Sequence, residues 1–279
     1  MESKFSNECI KTVFKIISLM KEMFHVIRQT LRSAYLSVMG TFVKPAVGIH
    51  IISGHRIEDE LEPETFRKLL GNLSKYVKFI RIEEAITMIE NKVEPKEPLV
   101  AFAYDDGFME CYDVFAPVLE EFGVNAIFFV NPNYVEGDDE YIDNFNKNIV
   151  LTPGRKPMRW EQIKELSDRG FLIGAHTMDH YMINSDDTEI LEYQINTCKG
   201  IIEKHTGKPC DYFAFPYGKL THANNKSIDI ACQHYKYVFS QSDYKRYFSF
   251  NNRVINRRHY EVFWPISHVK YFLSCTKKW

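Results

Sequence analysis

The sequence predicts an α/β fold: a distorted (β/α) barrel of about seven parallel strands at residues 43–279, preceded by an amphipathic helical extension at residues 1–42. Three observations predict it. Short apolar runs alternate with segments of helical period, the pattern of parallel strands wrapped by helices. Several of those runs are apolar throughout, as expected where both faces of a sheet are covered. No GxGxxG or Walker loop accompanies them, so a closed or nearly closed barrel is preferred to an open, nucleotide-binding doubly wound sheet.

Each element has its own signal. In the first forty residues Val13, Ile17, Met20, Phe24 and Ile27 recur at spacings of three and four, which marks an amphipathic helix. Lys11, Lys15, Lys21 and Arg28 interrupt every apolar run, so neither a membrane span nor a secretory signal is legible there. The reading is therefore cytoplasmic, with the helix packed on the domain or serving a helical partner; peripheral membrane contact through residues 1–42 is the alternative. PAVGIHII (45–52) reads as a buried strand, and Pro63 opens a helix carrying Phe66, Leu69, Leu70 and Leu73 on one face. EEAITMIENK is a second helix, and Pro95 and Pro98 lead into the strand LVAFAY (99–104). Then come the helix DVFAPVLEEFG, the strand NAIFFV (125–130), and a loop from Asn131 to about Pro157 rich in Asp, Asn and Gly. The helix WEQIKELSDRG precedes the strand FLIGAH, and residues 187–205 form a long helix stopped by Gly207. YFAFPYG is a further strand, followed by a helix near 223–234 and the strand YKYVFS.

Composition narrows the function. Lys plus Arg number 35 against 37 Asp plus Glu, so the basic excess that nucleic-acid binding requires is missing. Six cysteines are scattered without CxxC pairs, which argues against a zinc ribbon or a disulfide framework and for free thiols.

Chemistry concentrates where predicted strands run out, the active face of such barrels. Asp105 and Asp106 follow LVAFA directly, and adjacent carboxylates need a cation or hydrogen bonds to stay charged. The same Asp106-Gly107 pair also suits an ordinary turn. His176 and His180 follow FLIGA at a spacing that would bring both imidazoles to one side of a helical turn and onto one metal ion. Two surface histidines are the plainer alternative. Two histidines with one carboxylate would leave coordination positions open, a catalytic type of metal shell. In Phe213 to Gly218, Pro216 fixes the backbone and Gly218 frees it, a combination that can aim a peptide N–H outward or simply make a buried turn.

Together the three segments resemble the motifs of the polysaccharide deacetylase family, carbohydrate esterase family 4. The Thr-Phe-Asp-Asp-Gly type of motif is matched by Ala103-Tyr104-Asp105-Asp106-Gly107, the His-Ser/Thr-x-x-His motif by His176 to His180, and a Pro-Tyr-Gly ending by Pro216-Tyr217-Gly218. PVLEEFGVNAIFFV and MRWEQIKELSDRGFLIGAHT are similar to flanking family text, and the likeness runs from about residue 46 to about 260. The resemblance implies a metal-dependent deacetylase acting on an N-acetylated sugar or glycan precursor. Asp105 would be the base, Asp106, His176 and His180 the metal ligands, and the Tyr217 amide an oxyanion donor. The metal would be zinc, with cobalt or nickel as alternatives.

Two departures stand out. Ala214 occupies a position where many members carry an arginine that orients the base; Arg257 or Arg258 could replace it. No late Leu-x-His segment supplies the acid histidine. Gly48 to Arg56 resembles the corresponding strand of a circularly permuted subset, which makes His55 the leading general acid, as an imidazolium, and His259 the reserve. Two rival functions remain: a metal-dependent amidase on a small non-sugar amide, and a catalytically silent carbohydrate-binding protein.

Overall fold

The first barrel strand, β1 (Gly48–Gly54), is buried along its whole length: Ile49, Ile51 and Ile52 join the core, and its polar His50 and Ser53 are hydrogen-bonded to the Ala46 carbonyl and Asp105. The computed structural model describes residues 2–55 and 62–279, with side chains described for residues 20, 23–55 and 63–279. Arg56 lies outside the described residues.

β2 (Lys78–Phe79) and β3 (Pro98–Tyr104) follow. β3 runs parallel to β1, with Gly48 opposite Pro98 and Gly54 opposite Tyr104, so the ends of the two strands come level. β4 (Ala126–Val130), β5 (Leu172–Ala175), β6 (Tyr212–Ala214) and β7 (Tyr237–Ser240) add in order, all parallel, through intervening helices. The short β2 covers the start of β3, pairing at Leu99 and Val100.

A single segment closes the structure. β9 (Val254–Asn256) pairs with β7, and β10 (Arg258–His259), one residue later, pairs with β1. One stretch of chain thus changes partner at Arg257 and bridges the two ends of the sheet. Counting it once gives seven parallel staves, the number predicted. An antiparallel β8 (Phe248–Ser249) flanks β9.

Three readings of the sequence need correction. The presumed loop 131–157 contains helices Pro132–Glu136 and Asp139–Asn144. Pro132 starts the first, Asp138 caps the second by accepting from the Tyr141 amide, and Phe108, Tyr134 and Phe145 form an aromatic cluster beneath them. The closing segment 254–259 and the helix Ile266–Leu273 carried no periodic signal long enough to be seen. β6 stops at Ala214, and residues 215–218 turn away from it. Among the described side chains, the N-terminal helix, Glu2–Phe42, packs on the rest through its last turns. Leu36 is buried, Ser37 Oγ lies 3.0 Å from His268 Nε2, and a side chain at Gly40 would strike the backbone of Ser267. Met20, Phe24 and Ile27, read from the sequence as an apolar face for the domain, a helical partner or a membrane, are exposed; the side chains of Val13 and Ile17 lie outside the described residues.

Cys111, Cys198, Cys210, Cys232 and Cys275 are free thiols, as the scattered spacing suggests. Among the described residues no helix is long and apolar enough to cross a membrane.

Candidate active site

The carboxyl ends of β1, β3, β5 and β6 open on one cleft of about 360 Å³, lined by His55, Asp106, His180, Tyr217, Gln241 and the loop 149–152. Asp105 and Asp106 leave β3 in opposite senses because Asp106 (φ 71°) and Gly107 (φ 71°) are both left-handed. An L side chain at Gly107 would also crowd Val130. The DDG segment is therefore both the turn and the site.

His176 and His180 do converge, although no helix brings them together. Residues 177–180 are irregular, with Thr177 (φ 64°) and His180 (φ 56°) left-handed. Asn131 Nδ2 donates to the carbonyls of His176 and Thr177, and the Tyr181 amide donates to Thr177 Oγ1 at 2.8 Å. The Asp179 carboxylate accepts from Asn133, Tyr141 and Gln194. Several strained residues in one short loop are held only because surrounding bonds over-determine them.

His176 Nδ1 lies 2.6 Å from the Ala214 carbonyl, which can only accept, so Nδ1 carries the proton and Nε2 presents its lone pair. His176 Nε2 and His180 Nε2 stand 3.5 and 3.4 Å from Asp106 Oδ1, and the three ligand atoms lie within 4.8 Å of one another. All three residues are buried. Asp106 Oδ1 has no hydrogen-bond donor among the described residues. Burial, reinforced by Asp105, pushes the Asp106 carboxyl well up, and burial pushes both imidazoles down. Such a set offers lone pairs and no positive charge, and it fits a divalent cation by donor type and by open positions.

Asp105 is held quite differently. Arg257 Nη1 donates to Oδ1 at 2.7 Å and Nη2 to Oδ2 at 2.9 Å, a bidentate pair with both partners buried. Ser53 Oγ donates to Oδ2 at 3.4 Å. Burial alone would raise this carboxyl, but the Arg257 guanidinium outweighs it and holds it well below the usual carboxylate range. Arg257 is itself fixed: its guanidinium lies 4.9 Å from the Phe129 ring centre, and Nε donates to the Ser240 carbonyl. Of the two arginines considered from the sequence, Arg257 reaches Asp105. Arg258, next along the strand, points the other way, over Tyr244 and Phe272.

His55 Nε2 stands 3.7 Å from Asp105 Oδ2 and accepts from Gln241 Nε2 at 3.2 Å. Its ring centre is 5.2 Å from that of His259, whose Nε2 lies 3.0 Å from Glu261 Oε1. Burial pushes His55 down to about 4, against the pull of Asp105 and Glu261, so its resting form is neutral. Gln241 and Glu261 carried no motif signal, although Glu261 lies two residues from His259.

Tyr217 (φ 61°) and Gly218 (φ 62°) are left-handed, and a Cβ at Gly218 would come 2.4 Å from that of Gln241, so only glycine fits there. The Tyr217 ring packs 4.5 Å from that of His180 at the mouth of the cleft.

The family pattern for polysaccharide deacetylase matches residues 92–236, more than half of the chain. The chain belongs to the polysaccharide deacetylase family. Solved structures share the fold. Streptococcus pyogenes deacetylase PplD, in complex with acetate, superposes with a TM-score of 0.61 at 16% identity, covering 82% of this chain and 99% of PplD. IcaB from Ammonifex degensii does so with 0.61 at 21%, covering 83% and 99%. The curated Bacillus subtilis (strain 168) protein YxkH is 24% identical over 148 residues, 53% of this chain and 47% of YxkH. The chain thus spans about half the length of that relative.

Proposed function

We propose that this polysaccharide deacetylase family member hydrolyses the acetyl group of an N-acetylated sugar or glycan. A divalent cation, zinc by preference with cobalt or nickel as alternatives, would be held by Asp106, His176 and His180. The observation that carries the reading is one pair of adjacent carboxylates in two opposite environments. Among the described residues Asp106 Oδ1 lacks a donor and faces the Nε2 atoms of His176 and His180, while Asp105 is clamped by Arg257.

Bound there, the cation would polarise the acyl oxygen and lower the pKa of water toward ~7. The chain's own residues divide the remaining work. Asp105, fixed by Arg257, accepts the proton of the attacking water. The Tyr217 amide, aimed by the left-handed turn at 217–218, stabilises the oxyanion, and losing one such donor costs about 3 kcal/mol. His55, neutral at rest, lies across a 3.7 Å gap from Asp105 and becomes the donor to the departing nitrogen once it has received a proton. His259, paired with Glu261, packs against its ring, and Gln241 donates to it. The Arg257 clamp replaces the arginine missing at Ala214 and counts against a catalytically silent binding protein.

The test is acetate release by the zinc-loaded chain from N-acetylhexosamine oligomers, with ureide-type and other small amides in parallel. Release from the sugars supports the proposal. Turnover of the small amides alone would favour the amidase, and turnover of neither would remove the enzyme reading.

A further inference from the structure

The N-terminal helix presents an apolar stripe that the barrel does not use. Met20, Phe24, Ile27, Leu31, Val38 and Phe42 follow one another at helical spacing, and each is between 46% and 81% exposed. At 100° per residue they share one face, while Leu36 and Gly40, which meet the helix Ile266–Leu273, lie about half a turn away. The same spacing continues upstream in the sequence through Ile17, Val13 and Ile10. The helix spans 41 residues, about 60 Å, and among the described residues it is anchored through its last turns.

Charge decides what covers the stripe. Residues 1–44 carry seven Lys and Arg against three Glu, leaving 28 against 34 Asp and Glu in the remainder, so a cationic helix is attached to an acidic body. Between residues 11 and 44 the balance is sharper: Lys11, Lys15, Lys21, Arg28, Arg32 and Lys44 against Glu22 alone. By helical position Lys21 and Arg28 border the stripe. A second copy of the helix would set these cations against one another, without the acidic flanking residues that pair two such helices. An anionic lipid surface complements both features at once, taking the apolar side chains among its acyl chains and the cations among its headgroups.

We propose that residues 2–42 form an interfacial helix that lays the stripe on an anionic membrane surface and holds the barrel beside it. A helix of this composition lies in the interface and does not span it.

The experiment is flotation of the full chain with phosphatidylcholine vesicles, with and without phosphatidylglycerol. The expected result is flotation with the anionic vesicles only, weakened by high salt. Phe24→Asp with Leu31→Asp should lower the bound fraction at least about tenfold, from the apolar surface lost. Lys21→Ala and Arg28→Ala should each lower it about fivefold. Both stripe positions are exposed, so thermal unfolding of the barrel should not change, and circular dichroism checks that the helix persists. Three results overturn the proposal: no flotation with anionic vesicles, flotation that the double substitution leaves intact, or a dimer in light scattering that the substitution dissolves while vesicles bind nothing.

Discussion

The two sides of the active site are built by different means. On one side, Asp105, Asp106, His176 and His180 sit at the ends of β3 and β5, in contiguous motifs held by left-handed turns. On the other, Arg257 and His259 come from a segment that breaks its pairing in mid-stride, β9 to β7 and β10 to β1. The first side brings together the donors that would hold the proposed cation. The second supplies the buried positive charge that keeps the neighbouring carboxylate ionised. In the proposed reaction the closing seam of the barrel therefore serves the chemistry as well as the architecture.

Substitutions can break that division of labour, and the largest effect belongs to Asp105. Asp105→Asn removes the proton acceptor and should lower kcat by about a thousandfold, checked by acetate release. Arg257→Met leaves a buried carboxylate uncompensated and should cost about 3–5 kcal/mol of stability by denaturant unfolding. Arg257→Lys should restore the charge without the two-pronged geometry and recover only part of the loss.

His55 and His259 sharpen the comparison at the next level. His55→Gln should lower kcat by about a hundredfold with metal content unchanged, and His259→Gln should do less. Equal losses, or a larger one at His259, would exchange their assigned roles. The smallest effect lies away from the cleft, near the start of β1. His50, buried in β1 and donating to the Ala46 carbonyl, is pushed down to about 4 by burial and by Lys277. Below pH 6.5 the unfolded chain therefore binds a proton that the folded chain refuses, so stability falls as pH drops from 6.5 toward 4. The loss should reach about 2 kcal/mol at pH 5, and His50→Gln should flatten it in denaturant titrations at pH 7 and 5.

The barrel and the donor set were legible because both leave contiguous marks. Apolar runs such as Ala126–Val130 announce strands covered on both faces, and His176 and His180 stand four apart. The reason for their convergence was not legible: the spacing suggested a helical turn, whereas two left-handed residues and the Asn131 and Asp179 bonds shape the loop. Arg257 was one of two candidates, since the alternation that sends its neighbour to Tyr244 depends on a strand too short to show a period. Gln241 and Glu261 enter the cleft from separate strand ends and belong to no motif. The helices inside 131–149 were hidden by a composition that reads as loop, yet Asp138 and Pro132 are capping residues.

The central claim is that the two adjacent carboxylates do different work, one on the cation and one on the water. Metal content measured beside acetate release for Asp105→Asn and His176→Ala tests it most directly. The account predicts one bound equivalent and no acetate for the first, and neither metal nor acetate for the second. Acetate released by the Asp105→Asn protein, or a full complement of metal in His176→Ala, would contradict it.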